Sequence, residues 1–331
     1  MKVSMMHGAG GEVMGELLKT LTRFKNNNAG GVGLEALDDG AVIPFAGQNL
    51  VFTTDSHIVR PIFFPGGDIG RIAISGTVND LAMMGAEPIA LSCGMIIEEG
   101  FEISDLERIV ASMDSTLGEA GASLVTGDTK VMERGAIDGI AINTAGIGVA
   151  STVIRDNGLM RGDEIIVSGT LGDHGIAIMA HREGFDLGEQ IQSDVSPLNS
   201  LMEKALAAGT IHAAKDPTRG GFANAINEMA RKSKVSVRVR ETDLPIRRSV
   251  RSAAGMLGID PLEVANEGKV VMGVPASDAD SILAALRSHK YGKDAAIIGT
   301  VVKGSNVIME TSIGGERFIE PPMGDPVPRV C

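Results

Sequence analysis

Five short acidic motifs sit where the chain turns: DDGA (38–41), TTDS (53–56), ND (79–80), TGDTK (126–130) and DPTRGG (216–221). They put Asp39, Asp55, Asp80, Asp128 and Asp216 at the ends of apolar runs or beside glycine. A short carboxylate in such a place reaches hard cations such as Mg²⁺, which take oxygen ligands and bridge to phosphate. Any one of these aspartates could equally be a turn or cap residue. Five together, in a chain that also carries HGAGG (7–11) and TRGG (218–221), point to a magnesium–nucleotide site. Backbone amides at Gly8, Gly10 and their neighbours let an anion approach closely.

Other ways of binding or cleaving are excluded by absence. There is no G-x-x-x-x-G-K-[ST] phosphate loop, no G-x-S-x-G, no H-E-x-x-H and no C-x-x-C. GVGLEA (31–36) has dinucleotide-like spacing but follows a polar Asn/Gly loop instead of a strand. The six histidines are scattered singly and read mostly as surface or structural groups.

Two cysteines remain. Cys93, inside IALSCGMII (89–97), reads as a small buried hydrophobe. Cys331 closes PPMGDPVPRVC, whose prolines at 321, 322, 326 and 328 fix φ and withhold donors, so no helix or central strand fits there. A thiol on such an arm is either incidental to a frayed end or a carried reactive group.

The positioning framework follows from size and pattern. At 331 residues the chain exceeds what one core usually supports, so two domains are expected. Thirty basic against 42 acidic side chains leave a net charge of −12, which repels nucleic acid and anionic membrane alike. With no apolar leader and no span-length apolar run, cytoplasm is the expected location. Strands are expected at 49–55, 89–97, 122–127 and 139–150. Helices are expected at 67–88, opened near Asp68 and closed by Gly85 and Pro88, and from a Ser104/Glu107 capping box to about Gly121. After a turn-rich break at 156–164 the pattern restarts: strand 164–169, helix 173–183, a helix capped by Ser196 with Pro197 first, then strands 235–241, 268–275, 295–302 and 306–311 around a helix at 277–290. The expected class is α/β (α+β), with domains 1–155 and 156–319 and a flexible proline-rich tail, 320–331.

HGAGG, DDGAVI, TTDSHIVRPIFFPGGDIGRIAISGTVNDLAMMGAEP, TGDTKV, DPTRGG, NEGK (266–269) and PRVC together resemble hydrogenase maturation factors of the HypE family. That family lies in the ATP-binding superfamily of aminoimidazole ribonucleotide synthetase (PurM), selenophosphate synthetase and thiamine-monophosphate kinase. Selenophosphate synthetases carry a cysteine or selenocysteine after HGAG and a lysine shortly beyond, where this chain has Gly11 and Met14. The resemblance implies a two-domain PurM-like fold whose N-terminal sheet pairs across a homodimer. It implies that the C-terminal cysteine takes a carbamoyl group from the carbamoyltransferase HypF, and that ATP with Mg²⁺ drives its dehydration to an S-cyanate. The cyano group then passes to iron on a HypC–HypD complex and becomes a cyanide ligand of [NiFe] hydrogenase. Carried over motif by motif, Cys331 would hold the carbamoyl group and Glu267 would be the general base with Lys130 as its polarising partner. Asp39, Asp55, Asp80 and Asp128 would hold metal and phosphate together with Asp216, and Gly8 and Gly10 the nucleotide. Two rivals stay open: a non-enzymatic thiol carrier, which predicts no ATP turnover, and a small-molecule kinase or synthetase, whose turnover would survive loss of the tail.

Overall fold

The computed structural model describes residues 3–4, 11–184, 191–322, 324, 327 and 329–331. The chain begins with α1 (Gly11–Leu21), then β1 (Ala41–Phe45), β2 (Gln48–His57), a two-strand ribbon of β3 (Phe63–Phe64) and β4 (Gly67–Asp68), α2 (Ile69–Met83), β5 (Ala86–Glu98), α3 (Ile103–Ala120), β6 (Ser123–Met132) and β7 (Ile140–Ala150). Five of these strands form a sheet in the order β1-β2-β7-β5-β6. Its pairs are antiparallel except β5–β6, which run parallel because α3 crosses between them.

The second half supplies β8 (Asp163–Val167), α4 (Asp173–Arg182), α5 (Asn199–Ala208), β9 (Ala213–Lys215), α6 (Gly221–Ser233), β10 (Ser236–Arg240), α7 (Arg248–Leu257), β11 (Val271–Pro275), α8 (Ala279–Arg287), β12 (Ala296–Val302), β13 (Val307–Glu310) and β14 (Glu316–Phe318). Seven strands make a mixed sheet ordered β14-β13-β10-β12-β8-β11-β9. Among the described residues no helix is long and apolar enough to cross a membrane.

Helix α2 organises the first half. It opens where expected, with the Asp68 side chain accepting from Arg71 N at 3.0 Å, and Gly85 turns the chain out of it at φ 75. Of its fifteen residues all but Arg71 and Asp80 are buried. A helix apolar around its circumference belongs in a core, and each fully buried Ile contributes roughly 1.5–3 kcal/mol. The two polar exceptions have jobs. Arg71 Nη2 pairs with Glu119 at 3.0 Å and its Nε donates to Val195 O at 2.9 Å, while Asp80 faces β2.

Three local expectations are corrected. Pro88 lies inside β5, not beyond a helix end. The Ser104/Glu107 capping box does not form, because α3 starts at Ile103 with Glu102 at its N-cap and no side-chain bond there. Ser196 and Pro197 do not open α5, whose N-cap is Leu198. There the amide of Leu198 donates to Asn79 Oδ1 at 2.8 Å, so a side chain from α2 has taken over the capping that a local residue was expected to provide.

Candidate active site

The twofold alternation of β2 turns Val51, Thr53 and His57 inward toward α2, with Asp55, partly exposed, on the same face. Thr53 Oγ1 lies 2.8 Å from Asp80 Oδ2 and 3.0 Å from the main-chain oxygen of Asp39, so one hydroxyl ties β2, α2 and the loop before β1 together. From the second half, β9 ends at Lys215, whose ammonium pairs with Asp39 and lies 3.7 Å from Glu228. Asp216 follows directly. The turn after it runs through Gly220 (φ 75) and Gly221 (φ 60) into α6. A Cβ on Gly221 would sit 2.4 Å from Val264 O, so only glycine fits there.

These groups line one cavity of about 1330 Å³ that also includes Glu267, Arg219 and Cys331. Phe24, Leu34, Ile43 and Phe52 also line it, so it offers apolar surface as well as carboxylates that a cation-bridged phosphate would suit.

The acidic half is crowded beyond what its cations neutralise. Burial, then Asp216, Asp55 and Asp39, push Asp80 well above the usual carboxylate range. Burial and Asp39 raise Asp216 to about 7, against the pull of Lys215. Burial raises Asp39 as well, and its Oδ2 has no hydrogen-bond partner among the described residues. Glu267, 3 % exposed, is raised far above its ordinary value by burial and by Asp216 and Asp55. Its Oε1 is buried without a partner among the described residues. Burial opposes the charge on Lys215, but Asp39 and Glu228 outweigh it and hold the ammonium ionised. Carboxylates this close, with unused lone pairs, have the chemistry of a divalent-cation site. Among the described residues no three carboxyl, imidazole or thiol groups converge closely enough to hold a metal alone. An ion there would complete its shell with phosphate oxygens and water, as Mg²⁺ ordinarily does.

Cys331 is half-buried beside this cluster. Burial, then the charge of Glu267, push its thiol up to about 12, while Arg219 opposes them. Arg219 lies against Cys331, which together with Asp55 raises the guanidinium further. Its Nη2 is 3.5 Å from Asp55 Oδ1. The tail is thus packed into the molecule, with Val327 and Val330 buried in the core that α2 and α4 share.

Asp39, Asp55, Asp80, Asp216, Glu267 and Cys331 are brought together, from motifs as much as 292 residues apart (39 to 331). Asp128 and Lys130 are not brought to them within one chain. They sit on β6, exposed along its whole length at the edge of the first sheet, and Lys130 Nζ pairs with Asp128 at 3.2 Å instead of with Glu267. Gly8 and Gly10 lie outside the described residues. Lys215 and Arg219 were not anticipated, although both stand inside the stretch KDPTRGG (215–221) and are the cations any acidic cluster needs.

Residues 37–150 match the model of the AIR synthase related protein N-terminal domain, and residues 161–311 that of its C-terminal domain. A hydrogenase expression/formation protein of Methanocaldococcus jannaschii is 52 % identical over 100 % of both chains. The carbamoyl dehydratase HypE of Escherichia coli is 41 % identical over 99 % of both. A crystal structure of HypE in complex with ATP superposes with TM-score 0.84 at 42 % identity, covering 99 % of this chain and 100 % of that one. That of a HypE–HypF complex gives 0.87 at 43 % identity, covering 94 % of this chain and 100 % of that one. A thiamine-monophosphate kinase from Aquifex aeolicus, 20 % identical with TM-score 0.66, shares the fold.

Proposed function

The chain belongs to the HypE carbamoyl dehydratases, and we propose that it uses ATP to dehydrate a carbamoyl group carried on its own Cys331 to an S-cyanate. The observation that supports this most is that Cys331 lines the same cavity as Glu267 and the aspartate cluster. A small-molecule kinase has no use for its own tail in that place, and a simple thiol carrier has no use for the carboxylates.

An amide oxygen is a very poor leaving group, and phosphorylation cures that. The carbamoyl oxygen attacks the γ-phosphorus and the bond to the bridging oxygen breaks, which releases ADP. As the carbon–nitrogen triple bond forms, the phosphorylated oxygen departs as phosphate and both N–H protons leave. Atoms balance as S-carboxamide plus ATP giving S-cyanate, ADP and phosphate. Asp39, Asp55, Asp80 and Asp216 are the groups that would hold Mg²⁺, which when bound supplies the charge neutralisation that phosphoryl transfer needs. Phe24 and Phe52, which also line the cavity, would suit an adenine ring. Glu267 stands nearest in role to the departing N–H protons, its free buried oxygen being a ready acceptor once ionised. Arg219 is placed to orient the carbamoyl group on sulfur.

Asp128 and Lys130 fit as contributions across a homodimer. Strand β6 exposes Val125 at 65 % and Val131 at 70 %, an apolar edge that a second copy would cover. HypF is the proposed carbamoyl donor and a HypC–HypD complex the proposed acceptor of the cyano group.

Intact-mass measurement during incubation with HypF, carbamoyl phosphate and ATP tests the reading. The expected course is gain of one carbamoyl group followed by loss of one water, both absent in Cys331→Ala. Turnover of ATP with no change of protein mass would overturn it.

A further inference from the structure

The last three residues are held at every main-chain oxygen. Ile58 N donates to Cys331 O at 3.1 Å and Arg60 N to Arg329 O at 3.2 Å, an antiparallel register just past the end of β2. Arg182 donates to Arg329 O as well. Between them His174 Nε2 lies 2.7 Å from Val330 O. The guanidinium of Arg329 adds a pair with Asp138 at 2.7 Å.

His174 is the group in this set whose chemistry the dehydration leaves unused. It is fully buried on α4, edge-on to Phe64. A carbonyl only accepts, so Nε2 carries the hydrogen it gives to Val330 O. Burial keeps the ring neutral, which leaves Nδ1 to accept from Ser193 Oγ at 2.7 Å, and Val195 N in turn donates to that oxygen at 3.1 Å. The carbonyl therefore sets the tautomer, and the serine accommodates it by donating to the other nitrogen. The docked tail is also conformationally costly. Arg329 adopts φ 59, a left-handed geometry that a non-glycine residue leaves when it can. A strained segment persists only where the surroundings hold it, so such a tail needs a latch.

We propose that His174 is a positioning residue that latches the tail, holding Cys331 at the carboxylate cavity through Val330 O. This deepens the reading of Cys331 as the carbamoyl carrier. The docked tail serves dehydration, and the released tail serves the exchanges with donor and acceptor.

The test uses the full chain and two readouts. The first is iodoacetamide labelling of Cys331, located by mass spectrometry, which does not depend on the carbamoyl reading. His174→Phe keeps the ring volume and removes the donor, and labelling should rise on the order of tenfold, the weight of one buried hydrogen bond in an equilibrium. His174→Gln, whose amide can still donate, should label near the wild-type rate. The second readout divides the half-reactions: His174→Phe should slow dehydration on the order of tenfold while accepting the carbamoyl group as fast as wild type or faster. Unchanged labelling in a folded His174→Phe protein, or a parallel loss in both half-reactions, overturns the proposal. Should that variant fail to fold, His174→Leu carries the same test, since it also removes the donor to Val330 O. Raised labelling there supports the latch, and labelling at the wild-type rate overturns it. If labelling rises but no variant is ever carbamoylated, the latch stands and the carrier reading fails.

Discussion

Asp216→Asn should make the ligand-free protein more stable while weakening its hold on Mg–ATP. The folded state raises the Asp216 carboxyl from an ordinary 3.8 to about 7, chiefly by burial and Asp39. Between those values the folded chain keeps a proton that the unfolded chain has released, so stability falls as pH rises from about 4 through about 7. The gap is roughly three pH units at about 1.4 kcal/mol each, or about 4 kcal/mol lost above pH 7. Asparagine cannot ionise, so the variant escapes that loss. Removing the charge also eases Asp80 and Glu267, both of which Asp216 pushes up. Urea unfolding at a series of pH values from 5 to 8, without nucleotide or divalent cation, measures the effect. The expected result is a variant ahead by about 2 kcal/mol near pH 5 and by about 4 kcal/mol at pH 8, with a flatter pH dependence. Equal stability at pH 8 with an unchanged slope would refute the claim that the carboxylates are crowded and under-neutralised.

Glu267→Gln should take up the carbamoyl group and stop there. A mass spectrum showing S-cyanate formed at the normal rate removes Glu267 as the base. Lys130→Ala and Cys331→Ala should each be inactive alone, yet mixing and re-equilibrating the two chains should restore part of the dehydration activity, because a mixed dimer retains one subunit's intact thiol facing the other's intact Lys130. No recovery in a verified mixed dimer would return Lys130 to a role within its own chain or to none.

How much of the site was legible depended on whether a residue's role is local. Asp39, Asp55, Asp80 and Asp216 were readable as short acidic motifs recurring along one chain, although Asp55 lies within β2 and Asp80 within α2, and α2 was readable from its Asp68 cap and its closing Gly85. Lys130 was readable as a motif but not as a place. Its strand is exposed at every residue, and nothing in TGDTKV says that it is an edge with both faces open. The caps of α3 and α5 failed for the converse reason. A capping box is a local signal, but the amide at the start of α5 found Asn79, 119 positions away, and a tertiary partner of that kind leaves no trace in the flanking sequence. His174 is the extreme case. It was one of six scattered histidines, and its meaning resides in contacts to Ser193 on one side and to a main-chain oxygen 156 positions away on the other.

On the latch proposal, a docked and a released tail divide chemistry that one position could not serve. In the docked protein the Cys331 thiol stands near 12, so at neutral pH on the order of 10⁻⁵ of it is thiolate, far too little for attack on a carbamoyl donor. A released cysteine of ordinary acidity is about 1 % ionised or more, roughly a thousandfold better. Acceptance of the carbamoyl group therefore belongs to the released tail. Once the sulfur is acylated it has no proton to lose, and the burial that silenced the thiol becomes useful. It presents the new N–H groups to Glu267, whose Oε1 has no partner among the described residues. For both half-reactions to run, docking must be favourable by only a few kcal/mol. The strained Arg329 opposes docking, while four hydrogen bonds to tail main-chain oxygens, one ion pair and the buried side chains of Val327 and Val330 favour it, so loss of the histidine bond shifts the tail toward release.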